Sequence, residues 1–141
     1  MTRNPWRKSS LLAPLLVGLL GWQPGADARG VATVSYPVTD VWPSAIRFLR
    51  IDRNCVIREK DEAAGYILFD YPEGQKLHKG SLELIRTRDG DGRDSTRVAA
   101  SLPDLPRYIE QLLIDKLAVK LREDRGSPAP APRKPEPDAG E

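Results

Sequence analysis

The chain changes its hydrophobic rhythm several times, and the changes mark its elements. Residues 11–20, Leu-Leu-Ala-Pro-Leu-Leu-Val-Gly-Leu-Leu, are almost wholly apolar and follow the basic residues Arg3, Arg7 and Lys8. From Val31 to Tyr36 β-branched residues dominate until Pro37 stops them, which predicts a first strand. Val41, Ala45, Phe48 and Leu49 then share one stripe at helical spacing. Thr39 or Asp40 offers the N-cap of this helix, expected to reach about Asp52, with Pro43 in the first turn where a missing N–H costs no bond.

Residues 53–60 and 64–71 read as extended, parted by the polar Lys60-Asp61-Glu62. A second extended pair, 81–88 and 95–101, flanks Asp89-Gly90-Asp91-Gly92-Arg93-Asp94, whose glycines and aspartates tolerate the positive φ of a hairpin turn. Beyond Pro103, Asp104 can cap and Pro106 can open a last helix to about Asp124. Leu105, Ile109, Leu112, Leu113, Leu117 and Leu121 recur along it at helical spacing. The order β-α-β-β-β-β-α predicts an α+β fold of two layers, a mainly antiparallel sheet with both helices on one face.

The ends of the chain read differently from its middle. The basic start, the apolar run and the small residues of Ala26-Asp27-Ala28 have the order of a cleavable secretory signal over residues 1–28, so the mature chain is expected to begin at Arg29. The run is far shorter than the roughly 20 apolar residues of a membrane span and contains Pro14 and Gly18. The expected location is periplasmic or extracellular, with no integral membrane segment after cleavage. Taking Arg3, Arg7, Lys8 and Asp27 from 22 basic and 20 acidic residues leaves a neutral mature chain. Neutrality removes the broad electrostatic footprint that nucleic acid would need. From Gly126 to Glu141 alternating prolines, with no large apolar side chain to bury, predict a disordered tail. A single domain over residues 29–125 remains.

Candidate chemistry is sparse. Cys55 is the only cysteine, so no intramolecular disulfide can form, and its place beside Val56 and Ile57 predicts a buried, inert thiol. His78 is the only histidine, and no Cys-x-x-Cys or His-x-x-His spacing exists. No metal, cofactor or catalytic residue is assigned. The alternating aspartates at 89–94 fail as a calcium loop at Arg93, Asp94 and Ala100. Carboxylates such as Asp70 and Glu83 would have to carry any catalysis. Residues 72–80 read as the longest loop, and Lys76, His78 and Lys79 there are candidate contacts for an acidic or phosphate-bearing partner.

The segment Tyr66-Ile67-Leu68-Phe69-Asp70-Tyr71 is apolar on both alternating sets, yet helices on one side of a sheet cover one face only. If Cys55, Ile57, Leu68, Leu82 and Leu84 face the helices, Val56, Ile67, Phe69 and Ile85 form an exposed partner surface. The opposite register puts Ile67 and Phe69 in the core and Leu68 outside.

Pro-Val-Thr-Asp-Val-Trp at 37–42, the helix ending at Leu49, Cys55-Val56-Ile57, Ala-Gly-Tyr-Ile-Leu-Phe at 64–69 and the closing amphipathic helix together carry a resemblance. Over about residues 31–122 the pattern resembles small exported envelope domains of Gram-negative bacteria, nearest in outline to the repeated domains of the C lipoprotein of the outer-membrane β-barrel assembly machine. The resemblance implies a non-catalytic domain that binds other proteins or itself. It departs in having Arg29, not a cysteine for lipid attachment, directly after Ala28. Two other function classes stay open, a carrier of a small apolar ligand between helix and sheet, and a carboxylate-dependent enzyme.

Overall fold

A computed structural model describes residues 30–133. The expected signal over 1–28 and tail residues 134–141 lie outside the described residues. Five strands, β1 (Gly30–Val34), β2 (Val56–Asp61), β3 (Tyr66–Glu73), β4 (Lys76–Arg88) and β5 (Asp94–Ser101), form one antiparallel sheet in the order β1-β5-β4-β3-β2. Helix α1 (Val38–Arg47) runs on into a π-helical turn (Phe48–Asp52), and α2 (Arg107–Arg125) closes the fold. This is the expected α+β two-layer arrangement.

Both helices begin differently from expectation. Pro37 is the N-cap of α1, its carbonyl accepting the N–H of Asp40 at 2.9 Å and of Val41 at 3.1 Å, so the helix starts ahead of Thr39 and Asp40. Pro43 therefore lies inside α1, where its ring removes the bond to the carbonyl four residues back. Pro106 likewise caps α2 in place of Asp104, with its carbonyl 2.9 Å from the Ile109 nitrogen. At the other end of α1, Asn54 takes φ +52°, a left-handed conformation that asparagine tolerates well. The reversal lets the Cys55 N–H reach the Leu49 carbonyl at 2.8 Å and sends the chain into β2.

The core lies between the helices and one face of the sheet. Val41 and Ala45 of α1, Phe48 and Leu49 of its π-helical turn, and Ile109, Leu113, Ile114, Leu117 and Leu121 of α2 are buried against Ile67, Phe69, Leu82, Leu84, Val98 and Ala100. Leu112, expected on the α2 stripe, is exposed, and Ile114 is buried there instead. Gly80 is needed where Phe69 crosses the sheet, because a Cβ on it would come within 2.7 Å of the Phe69 ring and 2.6 Å of Leu102.

The buried carboxylate of Glu110 joins the layers. Glu110 of α2 accepts the Leu102 N–H at 2.7 Å through Oε1 and the Gly30 N–H at 3.0 Å through Oε2. It thereby satisfies one donor just past β5 and one at the start of β1, groups that would otherwise be costly to bury.

Candidate functional site

Strand register decides which side chains the helices leave uncovered. Val56 pairs with Asp70, Ile57 with Phe69, Ile67 with Leu82 and Leu84 with Val98. Paired residues share a face, so Ile57, Ile67, Phe69, Leu82 and Leu84 lie on the helix side. Ile67 and Phe69 are accordingly core residues, which corrects their expected place in an exposed patch with Val56 and Ile85. A shift of register between Ile57 and Glu59 brings Lys60 opposite Ile67.

The face turned away from the helices carries Val31, Val56, Leu68 and Ile85, which are between 38 and 46 % exposed. One row across the sheet is Val31, Ala99, Glu83 and Tyr66, and the next is Ser81 and Leu68. On the other side of the first row, Thr33, Arg97 and Ile85 align. Apolar side chains thus alternate with charged and hydroxyl groups. Several of the polar groups are tied in place. Tyr66 donates to the Glu59 carboxylate, and Arg58 pairs with Asp70. The bond to Glu59 holds the Tyr66 phenol above its ordinary range. Residues 66–71 therefore carry the signal for this surface on Leu68 and Tyr66.

The expected loop over 72–80 is a hairpin. β3 runs to Glu73 and β4 starts at Lys76, leaving only Gly74 and Gln75 between them. Gly74 has φ +60°, which suits the first central position of a type II′ turn. Lys76, His78 and Lys79 are consequently strand residues, facing Glu73, Tyr71 and Asp70. β5 pairs with β4 only from Ser81 onward, so the hairpin tip extends past its neighbour on that side. Adjacent strand residues point to opposite faces, so His78 and Lys79 do not converge on one ligand.

Several other polar groups have structural partners. Asp89 accepts the N–H groups of Asp91 and Arg93, each at 3.0 Å, and the Arg93 guanidinium at 2.8 Å. Partial desolvation would raise its pKa, but these donors outweigh it and hold the carboxyl below its ordinary value. Cys55 is buried beside the Arg53 carbonyl, and burial pushes its thiol up to about 11 against the opposing pull of the Arg53 charge. Arg53 itself bonds the Tyr71 hydroxyl at 2.9 Å. Asp70 and Glu83 lie four registers apart on neighbouring strands, about 13 Å along the strand direction, beyond the separation of paired carboxylates that work on one bond.

Among the described residues no three His, Cys, Asp or Glu side chains gather closely enough to hold a metal ion. Among them also, no helix is long and apolar enough to cross a membrane. The space between α2 and the sheet, where a carrier would hold an apolar ligand, is filled by Ile67, Leu82, Val98, Ile114 and Leu117. Residues 126–133 form no helix or strand, and Ser127, Ala129, Pro130 and Pro132 border a surface groove with Tyr36, Asp40 and Arg93. The chain matches no protein-family model and no curated protein.

Proposed function

We propose that this chain is a non-catalytic protein-interaction domain of the bacterial envelope, exported by its first 28 residues, and that it engages a protein partner through the open face of its sheet. The observation that carries the reading is the uncovered layer. Both helices pack on one side, leaving Val31, Val56, Leu68 and Ile85 accessible on the other. Aliphatic positions set among Tyr66, Glu83 and Arg97 match the mixed polar and apolar make-up of non-obligate interfaces. Antiparallel sheets tolerate one face in water, so the domain folds without its partner. The resemblance of residues 31–122 to exported envelope domains supports the same reading and its location.

The test is a pair of surface charges, Leu68→Lys with Ile85→Lys. The variant should keep the far-ultraviolet circular dichroism and melting midpoint of the parent but lose co-purification with its partner from the native envelope. Undiminished co-purification of a folded variant would refute the assignment of this face.

A further inference from the structure

A second surface lies on the helix layer, away from the open sheet face. Along α1 and its π-helical extension, Trp42, Ile46 and Arg50 fall at intervals of four, as do Pro43, Arg47 and Ile51. Residues four apart stand above one another on a helix. The two rows therefore border a groove of about 410 Å³, which Lys60 of β2 closes from the sheet. Ile51 is 68 % exposed at the rim, whereas Trp42 is 7 % exposed at the floor.

The charge around this groove is of one sign. Arg47, Arg50 and Lys60 all border it, no acidic side chain does, and none of the three makes an ion pair or a side-chain hydrogen bond among the described residues. Three uncompensated cations thus gather over an apolar floor in a mature chain whose basic and acidic residues balance.

From this juxtaposition we infer that the groove binds a short acidic segment of a partner protein, with carboxylates on Arg47, Arg50 and Lys60 and one bulky apolar side chain seated on Trp42 and Ile46. Guanidinium groups favour carboxylates by paired, charge-assisted hydrogen bonds. The depth of Trp42 selects a peptide over a membrane, because an inserted side chain reaches a recessed floor and a bilayer surface does not. The open groove also leaves an acyl chain mostly in water, whereas a dedicated small-molecule site encloses most of its ligand.

The experiment titrates the full chain with the capped peptide Glu-Asp-Phe-Glu-Asp, following the indole N–H resonance of Trp42 and the Nε–H resonances of Arg47 and Arg50. The parallel probes are Gln-Asn-Phe-Gln-Asn, Glu-Asp-Gly-Glu-Asp and vesicles of phosphatidylglycerol. The acidic Phe peptide should shift all three residues saturably, more weakly as salt is raised, and both altered peptides should bind less. Arg47→Glu with Arg50→Glu should lower affinity by at least about tenfold at an unchanged melting midpoint, while Arg122→Glu on α2 should not. Absence of a Trp42 shift, equal binding of the Gly peptide, or saturation by vesicles but not by peptide would overturn the inference.

Discussion

Replacing Glu110 with Gln tests how the two layers are held together. The carboxylate accepts two backbone N–H groups at once, from Leu102 at 2.7 Å and Gly30 at 3.0 Å. Glutamine keeps the shape but has one acceptor oxygen. With that oxygen on the Leu102 N–H, its NH₂ group confronts the Gly30 N–H and that bond is lost. A lost bond at this part-buried position costs about 0.5–1.5 kcal/mol, and turning the other from charge-assisted to neutral costs about 1 kcal/mol more. The expected loss is about 2 kcal/mol, out of about 5–15 kcal/mol for a typical domain. For a domain of this size that lowers the melting midpoint by about 8–16 °C. Glu110→Leu removes both acceptors and strands the buried Leu102 donor, so it should lose about 3 kcal/mol. Urea denaturation followed by circular dichroism gives both values, and amide exchange at Gly30 and Leu102 should accelerate in each variant. If both variants unfold within about 0.5 kcal/mol of the parent, the surface-like range, Glu110 does not join the layers as described.

Leu113→Ala should cost about 2–5 kcal/mol in urea denaturation, because Leu113 is buried in the helix–sheet core. Gly80→Ala should destabilise by about 1–3 kcal/mol, since its Cβ would press on Phe69 and Leu102; a neutral melting midpoint would contradict that contact. Ile67→Lys should unfold the domain while Leu68→Lys leaves it folded, a contrast that circular dichroism resolves and that follows from which face each residue takes. The Asp89 carboxyl is held below its ordinary value of 3.8, so its stabilisation is complete above that pH and is lost as pH falls through the lower folded-state midpoint. A carboxyl ¹³C titration of Asp89 should therefore centre below 3.8, and a midpoint at or above that value would refute the turn's hydrogen bonding.

The sequence made the element order legible because its stripes are strong. Ile109, Leu113, Leu117 and Leu121 repeat as only a helix face can, and the Asp89–Asp94 segment has turn chemistry throughout. Register was less legible. In residues 66–71 both alternating sets are apolar, and only the strand pairing together with the packing of the helices on Ile67 and Phe69 shows which set is covered. The Gly74-Gln75 turn was obscured by the charged residues beside it, which read as loop. Glu110 looks like a solvent-facing helix residue. It is buried because Gly30 passes so close that a Cβ there would lie 3.0 Å from the Glu110 Cβ. Arg47 and Arg50 likewise read as a solvated helix face until pairing with β3 brings Lys60 beside them. Register, Glu110 and the Arg47–Arg50–Lys60 group each depend on contacts between residues distant in sequence.

Site-specific photo-crosslinking tests the interaction surface most directly. A benzophenone amino acid placed singly at Leu68 or Ile85 reports on the open sheet face, and one at Gln111 or Lys116 reports on the exposed side of α2. In irradiated cells that export the chain, both sheet positions should give the same discrete protein adduct, and the α2 positions should not. Folded protein with no adduct from either sheet position, or with equal adducts from α2, would contradict the assignment of the open sheet face as the partner surface.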